Sequence, residues 1–295
     1  MITQELPQYE LLDSGLGRKL EIIAGLKVDR PSPQAIWKPL LKESEWASAQ
    51  SSVIRTKDGG GKWDHKRDPG ETLILPYEIG GRTLKFRLKF TSFGHCGVFF
   101  EQVPVWEWLY NEVVFLKQKL GRAPKIVNLF GYTGCASIVM ALAGAEVFHV
   151  DSSKGVLDWG KDSLDLSKLP KDSVRWVQSD AQEFLRHSFK KNFTYDGVLG
   201  DPPSWGHGVK KEVWEFEKHI HILVELIHAV LNRENSFFYL SSHTHGVQPH
   251  ALKNLIFDKR WKKIECGELG VKHTNDGRIL PAGIYASAVS YSKGS

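Results

Sequence analysis

The sequence is poor in cysteine, has no long apolar run and no long basic run. Its three cysteines, Cys96, Cys135 and Cys266, lie far apart with no Cys-x-x-Cys pair, which argues against a disulfide scaffold or a structural zinc site and fits a reducing compartment. No metal site is expected. No apolar stretch approaches membrane-spanning length, and the first residues, MITQELPQYE, lack the cationic and apolar stretches of a leader; a soluble, cytoplasmic protein without a membrane partner is expected. Basic residues gather only in clusters, Lys57 to Arg67, Arg82 to Lys89 and Lys259 to Lys263. A net charge of +5 and a pI near 8.9 are compatible with a polyanionic partner without demanding one. No repeat or low-complexity tract appears.

What is present is enough for a core. The 295 residues, 41% hydrophobic and 11% aromatic, allow one large domain or two modest ones. Ten tryptophans exceed ordinary packing needs, so some are candidates for stacking on bases.

The richest stretch runs from Lys125 to Asp151. It reads as a strand ending near Leu129, a glycine-bearing turn, a helix of small and apolar residues, and a second strand ending on an acid, which is a βαβ unit with a ligand site at its hinge. Gly131 and Gly134 can take positive φ and carry no side chain, so a ligand can lie close against the backbone there. Asp151 is placed to accept hydrogen bonds from both hydroxyls of a ribose. The dinucleotide fingerprint G-x-G-x-x-G is missing, because Ala136 or Ser137 stands where its third glycine would fall. A turn with Asn128 at the strand end, rich in donors and acceptors, better suits an amino-acid-bearing nucleoside such as S-adenosylmethionine.

Residues 1–100 read as a small α+β domain in the order strand, strand, helix, strand, strand: YELLDSG, RKLEIIAGLKVDRP, a helix over QAIWKPLLKESEWA flawed at Pro39, then SSVIRT, a polar loop DGGGKWDHKRDPG, and TLILPYEI joined to RTLKFRLKF by a hairpin at Gly80 and Gly81. Leu84, Phe86, Leu88 and Phe90 alternate with Lys85, Arg87 and Lys89, a cationic stripe that is either a solvated face or a track for phosphates. A connecting helix occupies 101–122, and the turn before it could fold over a ligand. From 123 to 295 strands and helices alternate regularly. This predicts a Rossmann-like, mostly parallel, seven-stranded sheet with helices on both faces and an antiparallel last strand.

Ligands of such sheets bind beyond the carboxyl ends of the strands. Asn128, Asp151, Asp180 and Asp201 are the polar strand ends; each aspartate could equally be a helix N-cap. Asp180, with the backbone amide of Ala181, could reach an adenine. In DPPSW, Pro202 and Pro203 withhold amide donors, leaving carbonyls and the Asp201 carboxylate as acceptors suited to an amino or imino group of a target base. Ser204 belongs to the same segment, and Trp205 is either a stacking surface or a packing residue. His243 and His245 follow the fifth strand, and His243 is a candidate general base or an ordinary polar residue of the cleft.

Together NLFGYTG, HVD, QSDA, GDPPSW and the upstream FGHCGVFFEQ resemble class I S-adenosylmethionine-dependent methyltransferases, and within them the branch of large-subunit ribosomal RNA cytosine-C5 methyltransferases. The resemblance covers most of Tyr9 to Ser290. It implies that Phe130, Gly131, Tyr132, Thr133 and Gly134 surround the methionine part of the cofactor, that Asp151 with Ser152 and Asp180 with Ala181 hold the nucleoside, and that Asp201, Pro202 and Pro203 face the target. Glu101 and Gln102 match, more loosely, a segment that folds over the cofactor, with Val103 where relatives usually carry Arg. The RNA-binding module that many relatives carry ahead of the small domain has no counterpart before Tyr9. Where relatives show Ser-Cys-Ser after strand five, this chain has Ser241, Ser242 and His243, so the thiolate that pyrimidine C5 methylation needs is not in its expected place; Cys96 is the one substitute, and methylation of a heteroatom is equally open. The reading is a methyltransferase acting on a base in RNA, with ribosomal RNA as the expected partner. Its rivals are a methyltransferase of proteins or small molecules, a nucleotide-dependent oxidoreductase, and a non-catalytic RNA-binding module of the same fold.

Overall fold

The computed structural model describes residues 1–4, 6–55, 61–66, 73–91, 94–208 and 213–292. Lys57 and Arg67 of the first basic cluster, and most of the polar loop predicted at 58–70, lie outside them. The chain divides into two compact units, Met1–Pro104 with Leu269–Ala282, and Val105–Glu268 with Gly283–Ser295.

In the first unit, β1 (Ile2–Thr3) runs parallel to Gly270 and Val271. Then come β2 (Tyr9–Gly15), β3 (Arg18–Ile23), β4 (Leu26–Pro31), α1 (Glu43–Ala47), β5 (Ser51–Arg55), β6 (Gly61–His65), β7 (Ile74–Ile79) and β8 (Arg82–Arg87). Strands β2 to β6 form one sheet in chain order and β7 pairs with β8. Three hairpins share one device, a two-residue turn with both residues at positive φ: Leu16 and Gly17, Ala24 and Gly25, Gly80 and Gly81. That geometry matches the twist of the flanking strands. The Gly80 turn lies as predicted, and Leu84, Phe86 and Leu88 are buried beside an exposed Lys85. The single strand predicted over 18–31 is instead two, because Ala24 turns at φ 49, a conformation few alanines adopt. Likewise Gly61–His65, predicted as loop, pairs with β5.

The helix predicted over 34–47 shrinks to its last turn, α1. Pro39 withholds an amide, and the amides of Leu40 and Leu41 donate instead to the Asp13 carboxylate at 2.9 and 2.8 Å. Trp37 and Ala35 give their carbonyls to the amides of Leu16 and Gly17. The segment therefore satisfies the hairpin rather than its own helix.

The second unit contains most of α2 (Val103–Leu120), then β9 (Lys125–Leu129), α3 (Cys135–Ala143), β10 (Glu146–Asp151), α4 (Lys154–Leu166), β11 (Val174–Gln178), α5 (Ala181–Lys190), β12 (Gly197–Gly200), β13 (Trp205–His207), β14 (Val213–Glu215), α6 (Phe216–Val230), β15 (Phe237–Ser242), α7 (Pro249–Leu255), the first part of β16 (Lys263–Lys272) and the last part of β17 (Ile279–Val289), whose remaining residues belong to the first unit. The sheet order is β16-β17-β15-β12-β9-β10-β11, and β1 makes it eight-stranded where seven were expected. Strands β9, β10, β11, β12 and β15 are parallel, and β17 runs antiparallel to β15. Strands β9, β10, β12 and β15 are buried on both faces, as their near-continuous apolar text requires, whereas β11 at the edge is fully buried only at Val174. The order reverses between β9 and β12, where a parallel sheet opens a crevice. The hairpin β13–β14, not anticipated from sequence, follows β12 directly.

Candidate active site

The crevice is built on the turn after β9. The left-handed residues there are Phe130 (φ 55), Tyr132 (φ 53) and Gly134 (φ 80). Gly131 is not among them and is needed for space: a Cβ on it would fall 2.3 Å from Cε1 of His149. Two side-chain-bearing residues thus carry the strained conformation, as is common where a backbone is shaped for a ligand. Gly134 ends the turn as N-cap of α3, where a Cβ would meet the Trp176 ring at 2.7 Å.

Asp151 closes β10 beside this turn. Its Oδ2 accepts from the amide of Tyr132 at 3.0 Å and its Oδ1 from the amide of Ser153 at 2.9 Å. Burial pushes its carboxyl above the usual range, with those amides opposing. Asp180 caps α5, its Oδ1 accepting from the Glu183 amide at 2.9 Å, so the capping alternative holds at this position. It also lines a cleft with Phe130, Val150, Asp151, Ser152, Ala181 and Pro203. The β13–β14 hairpin borders that cleft through Gly206, His207 and Trp214. It is tied down by Trp214 Nε1, which donates to the Pro203 carbonyl at 2.6 Å, while the Trp214 ring packs on Phe130 at 5.1 Å between centroids.

The predicted residues therefore fall into distinct places. Phe130, Asp151, Ser152, Asp180, Ala181 and Pro203 share the cleft. Tyr132 is half-buried and packs toward Trp159. Asn128 and Thr133, both 3% exposed, lie within the turn's footing, where Asn128 Nδ2 donates to Ser137 Oγ at 2.9 Å. Glu101 and Gln102 belong to the first unit, in a 3-10 turn at Phe100–Gln102 in which Glu101 is buried. Cys96 is also in that unit, fully buried with Arg30 Nη1 3.8 Å from its Sγ.

At the end of β12, Asp201 Oδ1 accepts from Ser241 Oγ at 2.7 Å and lies 3.6 Å from His243 Nε2. Burial would raise the Asp201 carboxyl, but His243 and then Ser241 outweigh it and hold it below the usual range. Pro202 is buried; Pro203, Ser204 and Trp205 are exposed, Trp205 by 59%. Ser204 Oγ pairs with Thr244 Oγ1 at 3.0 Å. Ser242, at the place of the relatives' cysteine, is buried and its Oγ accepts from the Thr244 amide at 3.1 Å. Among the described residues no group of three or more His, Cys, Asp or Glu is placed to hold a metal ion.

Sequence reasoning passed over His149, Ser137 and Trp214. A signal existed for the first: His149 is a lone imidazole inside the otherwise apolar run of EVFHVD, and in the structure it is completely buried.

No protein-family model matches the sequence. The crystal structure of a SAM-dependent methyltransferase from Agrobacterium tumefaciens is 32% identical, covers 99% of this chain and 93% of its own, and superposes with a TM-score of 0.89. A methyltransferase solved in complex with SAH is 17% identical with a TM-score of 0.71, over 97% of this chain and 76% of that one, a likeness of fold. Among curated proteins, ribosomal RNA large subunit methyltransferase K/L of Shewanella baltica is 31% identical over 176 residues, 59% of this chain. The match spans 23% of that protein's length.

Proposed function

Because this chain belongs to the S-adenosylmethionine-dependent methyltransferases, we propose that it methylates a base in ribosomal RNA, with Asp201 orienting the target and the cleft between Asp151 and Asp180 holding the cofactor. The cleft suits that cofactor chemically. The Asp151 carboxylate, fixed by two backbone amides, is an acceptor for ribose hydroxyls, and Phe130, Val150 and Ala181 offer apolar walls to a flat base. S-adenosylmethionine, when bound there, supplies a methyl group activated by its sulfonium charge.

The chain's own task is alignment and exclusion of water. Asp201 is kept ionised by His243 and Ser241, so it can only accept hydrogen bonds, and the prolines after it add no donors. An amino or imino nitrogen fits that edge: Asp201 holds its N–H and turns its lone pair toward the cofactor cleft. Exposed Trp205 gives a base a face to stack on. A buried Ser242 in the place of the thiol favours nitrogen over pyrimidine C5. Support for RNA comes from the ribosomal RNA methyltransferase relatives and from the net charge of +5. No helix among the described residues is long and apolar enough to cross a membrane, and a cytoplasmic location goes with the ribosomal reading.

The observation that carries the proposal is the Asp201 carboxylate, held by Ser241 and His243 at the mouth of β12. The test is incubation with methyl-labelled S-adenosylmethionine and ribosomal RNA from cells lacking the enzyme. Label is expected in RNA, on a nitrogen after digestion to nucleosides, and Asp201→Ala is expected to lower turnover by about 10² to 10⁴-fold, the usual range for removing a positioned acid or base. Label found only in protein or small molecules would overturn the RNA reading.

A further inference from the structure

We propose that His149 is a positioning residue for methyl transfer, holding the cofactor turn through a directed hydrogen-bond relay that begins at Asn128 and ends on the Tyr132 carbonyl. The proposal rests on the assignment of S-adenosylmethionine to the cleft above it.

Three contacts define the relay. His149 Nε2 lies 3.2 Å from the Tyr132 carbonyl oxygen, His149 Nδ1 lies 2.9 Å from Ser137 Oγ, and Asn128 Nδ2 lies 2.9 Å from the same Ser137 Oγ. A carbonyl can only accept, so Nε2 carries the hydrogen. Burial pushes the imidazole down to about 3, with only the Tyr132 contact opposing, so the ring is neutral and Nδ1 is bare. Ser137 then has to donate to Nδ1, and its oxygen is left to accept from the Asn128 amide. Every link has one direction.

The end of the relay bears on the cofactor. Tyr132 sits in the left-handed region at φ 53, its carbonyl held by His149 and its amide donating to Asp151 Oδ2 at 3.0 Å. The residue that aims the ribose-binding carboxylate is thus gripped on both sides. The ring is confined on two further sides: a Cβ on Gly131 would fall 2.3 Å from its Cε1, and Trp176 packs on it at 4.6 Å between centroids.

Two substitutions separate positioning from mere packing. In His149→Gln the amide nitrogen can stand where Nε2 stood and still donate to Tyr132; in His149→Asn it is too short to reach. Calorimetric titration of the full chain with S-adenosylhomocysteine is expected to show roughly tenfold weaker binding for His149→Asn and no more than about threefold for His149→Gln, one hydrogen bond apart, while both melt at similar temperatures. In the wild-type protein, ¹⁵N NMR of the imidazole is expected to report the neutral Nε2–H tautomer from about pH 5 to 9. Equal affinities for His149→Asn and wild type, or an Nδ1–H ring, would overturn the proposal. Failure of the wild-type protein itself to bind S-adenosylhomocysteine would remove the cofactor assignment and the relay's role with it.

Discussion

The buried charges of the first unit's hairpin sheet and the polar groups around the second unit's cleft are held in different ways. In the first, the buried groups are charged and close upon one another. Glu21, 0% exposed, takes both Arg30 Nε at 2.7 Å and Nη2 at 3.0 Å, with Tyr9 and Lys19 against its other flank. Asp13, equally buried, receives the amides of Ser14, Leu40 and Leu41 and the Arg278 guanidinium. In the second, the deepest polar groups around the site are neutral, Asn128, Ser137 and His149, and the carboxylates stand half-buried at the strand ends, gripped from the protein side. A buried charge is tolerated only when its partners are complete. Charges saturated by the fold hold the fold; Asp151 and Asp180, which accept backbone amides and line the cleft, are placed to hold something else.

The sharpest way to break this contrast is to remove a charge from each side. Glu21→Gln is expected to cost the first unit about 3–5 kcal/mol in urea unfolding, because it strands a buried guanidinium. Asp151→Asn is expected to cost about 1–3 kcal/mol in stability, since both oxygens accept backbone amides and the new NH₂ must face one of them, and to weaken S-adenosylhomocysteine binding about tenfold. Similar stability losses from both would erase the distinction. Acid gives the same comparison without mutation. Burial alone would raise the Glu21 carboxyl, but Arg30, Lys19 and Tyr9 bring it down to about 2. A depressed carboxyl stabilises the fold above its unfolded value of about 4.3, and that contribution is lost as pH falls toward about 2. Acid unfolding of the wild-type protein should therefore steepen below about pH 4, and Glu21→Gln should flatten that limb.

Glycines offer a second comparison. Gly17, at φ 78 in a hairpin of the first unit, has nothing within 4 Å of an added Cβ, so Gly17→Ala should cost only the strain of its backbone, about 1 kcal/mol. Gly131 has the His149 ring in the way at 2.3 Å. Gly131→Ala should cost about 1–3 kcal/mol through overpacking and should weaken cofactor binding, which Gly17→Ala should leave untouched. Differential scanning calorimetry with titration of S-adenosylhomocysteine reads both effects.

What the sequence disclosed follows the same division. The parallel sheet was legible because most of its strands are short apolar runs followed by a polar residue, and Asp151, Asp180 and Asp201 mark three of those ends. Which of its two properties Gly131 supplies was not legible, because a glycine required by space and one required by φ look alike in sequence; only the fold brings His149 beside it. The first unit was less legible because its decisive interactions are long-range. Asp13 draws in the amides of Leu40 and Leu41 and so dissolves a helix that local text favours. The Ala24 turn carries no turn residue at its first position. The β13–β14 hairpin escaped notice because its strands are three residues each, below the length at which alternation can be read.

Asp180 is the smallest and most delicate test, because it takes part in both kinds of behaviour. Its Oδ1 accepts from the Glu183 amide and caps α5, which is structural, while the residue also lines the cleft proposed for the cofactor. Asp180→Ala removes both and is expected to lower stability by about 1 kcal/mol, the usual value of an N-cap. Asp180→Asn keeps a carbonyl oxygen for the cap and replaces the other carboxylate oxygen with a donor. If the carboxylate serves only the helix, Asp180→Asn should melt like wild type and bind S-adenosylhomocysteine like wild type. If it also accepts from the adenine, affinity should fall about three- to tenfold with the melting temperature unchanged, since an NH₂ group then faces another donor. The second result is the one expected from the cleft geometry; the first would reduce Asp180 to a cap and leave Asp151 as the acid that holds the nucleoside.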